Sequence, residues 1–257
     1  MIDLHSHILP GLDDGAPDMQ AAIDMARMAF HDGVRCVVAT PHNVDGCRTG
    51  TREEVDAAAA ELQEALEARG IQLRIVPGVE ARIGPDMAQQ LDSRRAFPIG
   101  QTRYLLLELP LVGYPAYTEQ AIFELQLRGL IPILAHPERN AALQEKPELL
   151  PMLVERGCLG QLTAASLVGA FGSEVQRESE ALLRHNLVHI VASDAHTVSL
   201  RSPVLSGAVE VAARIVGKER ARAMVTTIPQ AILEDGEVQV EPPLGRRVRG
   251  RRWPWSS

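Results

Sequence analysis

The chain is poor in cysteine, in basic side chains outside one short segment and in long apolar runs, and each shortage closes a class of function. Its three cysteines, Cys36, Cys47 and Cys158, form no C-x-x-C pair, so neither a disulfide framework nor a thiolate zinc site is encoded and a reducing compartment is expected. A cysteinyl-phosphate route needs an arginine six positions after the nucleophile, but Cys36 leads to His42, Cys47 to Glu53 and Cys158 to Ala164. No G-x-x-x-x-G-K-S/T or G-x-S-x-G pattern occurs, which removes P-loop and nucleophile-elbow chemistry. Lysine is confined to Lys146 and Lys218, both in helix-like text, which weighs against an amidohydrolase centre bridged by a carboxylated lysine.

Charge is the next constraint. The formal net charge is −7, from 26 basic and 33 acidic residues, and a protein that neutralises nucleic-acid phosphates needs a basic face instead. Nucleic acid is therefore not an expected partner. Five of the basic residues, Arg246, Arg247, Arg249, Arg251 and Arg252, crowd the last dozen positions, leaving 21 basic against the 33 acidic in the chain before them. That end, with Pro242-Pro243 before it and Trp253-Pro-Trp255 after, reads as a solvated, disordered tail over 237–257. Its sharper alternative is peripheral contact with an anionic membrane through arginine and tryptophan. The opening Met1-Ile-Asp-Leu-His5 has neither a basic nor an apolar leader region, and the longest uncharged stretch, Leu109 to Thr118, is broken by Pro110 and Pro115. A leaderless cytoplasmic protein is expected.

What is present is a β-then-α alternation in a chain of 257 residues, 46% hydrophobic and 23% charged, a balance that excludes collagen, disorder and a membrane-embedded chain. Apolar runs predict strands at Ile2 to Leu4, Arg35 to Ala39, Leu73 to Pro77, Tyr104 to Leu107, Ile131 to Ala135, Cys158 to Leu162 and His189 to Ala192. Such runs fit a parallel sheet covered by helices on both faces. Helical spacing through Ile23, Ala26 and Phe30 ends at Gly33, placed for a left-handed cap. Thr51-Arg-Glu-Glu54 is a capping-box pattern opening a helix toward Gly70, and Ser173 with Gln176 opens another before Arg184. Further helices are predicted near Tyr117 to Arg128, Pro147 to Arg156 and Val204 to Val216. These β-α units suit a closed barrel or an open doubly wound sheet, and the pattern does not choose between them. One domain, 1–236, is expected before the tail.

Polar residues follow the predicted strands in a regular way: His5 and His7 the first, His42 the second, Glu80 the third, Glu108 the fourth, His136 the fifth, Asp194 and His196 the seventh. In a parallel architecture that end carries the active site. A lone histidine near a strand end is usually a satisfied polar residue, so the argument rests on the set. Alternation with period two puts both rings of His5-Ser6-His7 on one face, and Asp194-Ala195-His196 repeats the spacing. Mixed imidazole and carboxylate ligands suit manganese, zinc or iron in an open site. With an acid from Asp13-Asp14, the donors exceed the needs of one ion, so two or three divalent metals and metal-assisted hydrolysis are expected.

The ordered motifs Met1-Ile-Asp-Leu-His-Ser-His7, Asp13-Asp14-Gly15, Ala39-Thr-Pro-His42, Gly78-Val-Glu80, Glu108, Ala135-His-Pro-Glu-Arg139 and Ala192-Ser-Asp-Ala-His196 make the chain similar to the PHP (polymerase and histidinol phosphatase) superfamily. Within it, the chain resembles the bacterial manganese-dependent protein-tyrosine phosphatases of capsule and exopolysaccharide loci, from Met1 to about Ala231. The resemblance implies a distorted seven-stranded (β/α) barrel with a trinuclear site in its mouth. Carried over by position, His5, His7, Glu80 and Asp194 hold one metal, Asp14, His42 and His196 a second, and Glu108 and His136 with bridging Glu80 a third, manganese first and iron or zinc as alternatives. It further implies that Asp14, His136 and Arg139 are catalytic, that Arg139 binds phosphate through its planar fork, with Arg201 a second candidate, and that the partner is a phosphotyrosine-bearing protein such as a membrane-anchored bacterial tyrosine kinase. A small phosphoester such as histidinol phosphate is the alternative substrate. A phenol leaves with a pKa near 10 and needs little help from an acid, which favours an aryl phosphate.

Overall fold

The computed structural model describes residues 1–44 and 50–244. In chain order the elements are β1 (Ile2–Ser6), α1 (Met19–His31), β2 (Cys36–Ala39), α2 (Arg52–Glu67), β3 (Arg74–Pro77), β4 (Glu80–Arg82), α3 (Met87–Asp92), β5 (Tyr104–Glu108), α4 (Thr118–Leu127) and β6 (Ile131–Ala135). They continue with a short 3-10 turn at Pro137–Arg139, α5 (Ala141–Glu145), α6 (Leu149–Glu155), β7 (Leu159–Thr163), α7 (Ala164–Leu167), α8 (Ser173–Arg184), β8 (Ile190–Ala192), α9 (Ser206–Val216), α10 (Lys218–Ala223) and α11 (Thr227–Leu233). Local signals act where the sequence places them. Gly33 follows α1 with φ +92°, open to glycine without a Cβ penalty. At α2 the Thr51 N–H donates to the Glu54 carboxylate at 2.8 Å, half of the capping box that satisfies otherwise orphaned donors.

All strand pairs are parallel, in two sheets ordered β1-β2-β3 and β4-β5-β6-β7-β8. The expected seven strands become eight, because Glu80–Arg82 is itself a strand. At three residues and carrying two charged side chains, it has no apolar run to announce it. Single parallel bridges, His42 to Glu80 and Ser6 to Ala195, join the sheets at their two seams. The Asp194 N–H donates to the His5 carbonyl and the His7 N–H to the Ala195 carbonyl, each at 2.8 Å. Both seams therefore run through candidate site residues.

The apolar residues divide by strand parity. One cluster takes Val37, Ala39, Ile75, Leu105, Leu107 and Val191 from the strands and packs them under helix residues such as Ile23, Leu62 and Leu125. The other takes Ile2, Leu4, Val38, Leu106, Ile133, Leu159 and Ile190, with Ile232 of α11 beneath. This inner cluster and α11 fill the end opposite the site. In β1 the register shifts: Asp3 pairs with Val37 but Ser6 with Ala39, so one extra residue is accommodated. A bulge of this kind re-aims the side chains beyond it. Leu4 and His5 consequently both face inward, and His7 follows on the same side.

Residues 237–244, expected to begin the disordered tail, instead run back over the fold, because their apolar side chains find the inner cluster. Val238 and Val240 pack against the inner cluster, the Tyr104 hydroxyl donates to the Gly236 carbonyl at 2.6 Å, and the Leu244 N–H donates to the His185 carbonyl at 2.9 Å. The arginines and tryptophans of the tail, like Cys47, lie outside the described residues. Among the described residues no helix is long and apolar enough to cross a membrane.

Candidate metal centre

Every candidate ligand sits at the end of the strands where the loops converge. His5 lies in β1 and His7 just beyond it, Asp13 and Asp14 in the following turn, His42 after β2, Glu108 at the end of β5, His136 after β6, and Asp194 and His196 after β8. Glu80 opens β4 where it had been expected to close β3, and its backbone N–H donates to the Pro41 carbonyl at 3.1 Å, which fastens it beside His42. Two of these residues have left-handed backbones, His136 at φ +34° and Asp194 at φ +53°. Non-glycine residues rarely adopt that conformation, and it concentrates at sites where side-chain aim matters.

The donors converge closely. His5 Nε2 and His7 Nε2 face each other at 3.1 Å. His5 Nε2 lies 3.3 Å from Glu80 Oε2 and 3.4 Å from Asp194 Oδ1, and His7 Nε2 lies 3.4 and 3.5 Å from the same two oxygens. His136 Nε2 is 2.9 Å from Glu80 Oε1 and 3.8 Å from Glu108 Oε1. Asp14 Oδ1 is 3.3 Å from His196 Nε2 and 3.6 Å from His42 Nε2. Three overlapping groups could each hold a cation: His7, Asp14, His42 and His196; His5, His7 and Glu80; and His42, Glu80 and Glu108. They overlap the sets carried over by resemblance but differ from them in three ways: His7 also falls with the Asp14 group, His42 stands with Glu80 and Glu108 in place of His136, and Asp194 falls in none of the three.

Second partners set the ring orientations. His5 Nδ1 donates to Gln161 Oε1 at 2.8 Å, His7 Nδ1 to Asp13 Oδ2 at 2.6 Å, and His196 Nδ1 to the Asp194 carbonyl at 3.1 Å. With Nδ1 carrying the proton, each Nε2 turns a lone pair into the shared space, the arrangement that prepares histidine for a metal. Asp13 is a hub: Oδ2 also accepts the His42 N–H at 3.0 Å and Oδ1 the Gly15 N–H at 2.9 Å. The two adjacent acids thus divide their work, Asp13 holding His7 and Asp14 facing His42 and His196.

The electrostatics call for positive charge. Burial opposes ionisation of Asp194 and Glu80, yet the surrounding imidazoles hold both well below the usual carboxylate range, since nearby positive groups favour the charged form. Burial works against the Asp13 carboxylate too, but its bond to His7 and its backbone donors bring it down to about 2. Burial alone would lower His7; its bonds to Asp13, Asp194 and Glu80 instead raise it well above an ordinary histidine. His196, pushed down to about 3 by burial and by the charge of His7 and Arg201, stays a neutral donor. His42 Nδ1 and Glu80 Oε2 approach to 2.9 Å without hydrogen-bond geometry, and both are buried without a partner, as is His196 Nε2. Orphaned buried donors and acceptors are costly. Cations between them would satisfy these atoms, so the donor set fits divalent metal ions.

The two arginines reach the same carboxylate. Arg139 Nη1 donates to Asp194 Oδ2 at 2.8 Å and Arg201 Nη2 to Asp194 Oδ1 at 2.6 Å. Sequence reasoning named Asp13 only as an alternative to Asp14, and it missed the other supporting residues: Gln161, Arg82 donating to Glu108 at 2.9 Å, and Asp3, whose carboxylate accepts from the Ser193 N–H and hydroxyl and so fixes the turn before Asp194. A glutamine inside the apolar strand Leu159–Thr163 was the one legible signal among them. Tyr114 and Tyr117 pack against the outer cluster, in keeping with a structural role. Burial raises the thiols of Cys36 to about 11 and Cys158 to about 12, values at which neither is a nucleophile near neutral pH.

A parallel α/β chain that gathers imidazoles and carboxylates around shared space at its strand ends has the donor set of a metal-binding protein. The chain is a member of the capsular polysaccharide synthesis CpsB/CapC family, whose model matches residues 1–234. It is 40% identical over 95% of both chains to the tyrosine-protein phosphatase YwqE of Bacillus subtilis strain 168. It is 38% identical, over 78% of its own length and 79% of the relative's, to the putative tyrosine-protein phosphatase CapC of Staphylococcus aureus. A solved structure from the pair YwqE of Bacillus subtilis and CpsB of Streptococcus pneumoniae, described as unique metal-dependent tyrosine phosphatases, superposes with a TM-score of 0.91 at 40% identity, covering 96% of this chain and all of that one.

Proposed function

We propose that this chain is a metal-dependent protein-tyrosine phosphatase, a phosphoric monoester hydrolase that acts on phosphotyrosine in a protein. The observation that carries the reading is the convergence of the His5 and His7 Nε2 atoms, 3.1 Å apart, on Glu80 and Asp194, beside two guanidinium groups. Full-length relatives named as tyrosine phosphatases support the substrate class.

His5, His7, Glu80 and Asp194 hold one ion, Asp14, His42 and His196 a second, and Glu108 and His136 with Glu80 a third; manganese is the first choice, and iron and zinc accept the same ligand types. Divalent ions bound there supply positive charge for the phosphoryl oxygens and lower the pKa of water. Asp13 and Gln161 keep His7 and His5 in the tautomer that presents Nε2. Arg139 and Arg201 each reach the site through one terminal nitrogen, which leaves guanidinium N–H groups for the phosphate oxygens; such fixed donors stabilise charge that grows in the transition state. A phenolate departs without a proton, so the residues need supply only position and charge.

The two sheets, bridged at both seams, form a distorted (β/α) barrel of the PHP type over residues 1–236, against which 237–244 pack. The partner is a phosphotyrosine-bearing protein, a bacterial tyrosine kinase that governs capsular or exopolysaccharide synthesis at the cytoplasmic side of the membrane. The arginines and tryptophans of the tail favour contact with that surface, at about 1 kcal/mol per arginine. Phosphate release from a phosphotyrosine peptide, a phosphoserine peptide and histidinol phosphate, with and without chelator, tests the reading. Chelator-sensitive preference for phosphotyrosine is expected; preference for histidinol phosphate overturns the substrate.

A further inference from the structure

The loop after β7 is the one mouth loop whose strand contributes no candidate metal ligand. Between α7 and α8 it runs through Gly169 at φ +85° and Gly172 at φ +93°, and between these glycines it carries Phe171. The half-buried ring is stacked on the guanidinium of Arg139, whose Cζ lies 4.8 Å from the ring centroid. The same guanidinium donates to Asp194 in the metal centre. Among the described residues, Phe171 is grouped with neither apolar cluster, so its packing does not account for it. Apolar side chains also stand out on neighbouring mouth loops, with Val112 85% and Leu200 86% exposed.

We infer that Phe171 is the aryl-recognition residue of the site: it forms the wall against which the phenyl ring of a phosphotyrosine lies while Arg139 holds the phosphate. The inference rests on the tyrosine-phosphatase reading and adds the residue that discriminates aryl from alkyl esters. The geometry follows from the stack. A ring joined to the phosphate through one oxygen begins within a few ångströms of the guanidinium, and Phe171 is the phenyl ring stacked on that guanidinium. Aromatic pairs prefer offset or edge-to-face contact and gain beyond simple burial. A serine or small alkyl ester has no ring to place on that wall. Phe171 also limits the swing of Arg139 through cation–π attraction, and a test must separate this positioning effect from ring recognition.

Phosphonates separate them, because their carbon–phosphorus bond resists hydrolysis and binding can be read without turnover. The affinities of phenylphosphonate and methylphosphonate for the full-length, manganese-loaded protein are measured by calorimetry for wild type, Phe171→Leu and Phe171→Trp, alongside hydrolysis of phenyl phosphate and ethyl phosphate. The Leu variant keeps an apolar side chain of similar size, and circular dichroism checks its fold. Phe171→Leu is expected to weaken phenylphosphonate about 2- to 10-fold, to leave methylphosphonate within about twofold, and to raise KM for phenyl phosphate more than it lowers kcat, with Trp restoring the preference. Equal loss for both phosphonates assigns Phe171 to holding Arg139 alone and overturns the inference, as does no loss for either. If wild type hydrolyses no aryl phosphate while the phosphonate preference still tracks Phe171, the phosphatase reading fails and the aryl wall stands. Wild-type hydrolysis of aryl phosphate without that tracking has the opposite meaning.

Discussion

Gly15 offers a sharp mechanical test of the site. A Cβ built on it would stand 2.0 Å from the His7 carbonyl oxygen and 2.5 Å from the His7 Cβ, where ordinary contact is about 3.5 Å. The backbone of His7 cannot give way easily, since its N–H donates to the Ala195 carbonyl at 2.8 Å and its carbonyl accepts the Ala16 N–H at 3.0 Å. In Gly15→Ala the turn must therefore move, by about 1 to 1.5 Å on this geometry. That turn carries Asp13, whose carboxylate holds His7 Nδ1, the His42 N–H and the Gly15 N–H, and it carries Asp14. Overpacking of this size costs about 1–3 kcal/mol, while a displacement near 1 Å in a catalytic constellation costs roughly 100-fold in rate. We expect Gly15→Ala to fold, to lose about 1–3 kcal/mol in urea titration and to lose about 100-fold in chelator-sensitive kcat/KM on a phosphotyrosine peptide. Wild-type kcat/KM and wild-type metal affinity in a folded variant would refute the reasoning, because Asp13 and Asp14 would then be dispensable to the centre.

Arg139→Ala should lower kcat/KM by about 100- to 1,000-fold, the cost of removing one fixed donor to a developing charge, with circular dichroism unchanged; Arg139→Lys should recover little of the loss, since lysine lacks the planar fork. Manganese at about 100 times its dissociation constant should stabilise the wild-type protein by about 2.7 kcal/mol, or roughly 5–10 °C in thermal unfolding; Glu80→Gln should abolish the shift, and an undiminished shift would remove Glu80 from the ligand set. Burial, then the charge of Arg220, brings His189 down to about 4, below the ordinary histidine range, and its Nδ1 accepts the Gly160 N–H at 3.0 Å. A histidine depressed on folding contributes stability that is intact above the unfolded value and is lost as pH falls from about 6.5 toward 4, so His189→Gln should flatten that part of the stability–pH curve by up to about 3 kcal/mol; an unchanged slope would contradict it.

How far the sequence spoke for itself depended on range. Seven strands and the main helices were legible because burial on both faces leaves apolar runs, and because Thr51 and Gly33 punctuate helix ends; Ser173 does not cap as expected, since Gly172 takes the N-cap of α8 and Ser173 is its first helical residue. β4 was not legible, since Glu80–Arg82 is short and polar and exists as a strand only through pairing with β5. The candidate set was legible as residue types at strand ends, and these nine side chains do converge. Their aim was not: His5 and His7 face inward because of the β1 bulge, which depends on the partner register with β2, and nothing local in Ile2–Ser6 encodes it. Asp13 and Asp14 looked equivalent because their separation into an orienting acid and a facing acid arises from where His7, His42 and His196 lie. Gln161 and Phe171 belong to the same class, ordinary in sequence and meaningful only through residues brought to them by the fold.

The central claim is that divalent metals sit among these nine side chains, and anomalous diffraction at the manganese edge from crystals grown with manganese tests it most directly. The account predicts two or three peaks, one among His5, His7, Glu80 and Asp194, one beside Asp14, His42 and His196, and, if a third is present, one beside Glu108 and His136. Peaks confined to other residues, or none at manganese concentrations that support phosphotyrosine hydrolysis, would contradict it.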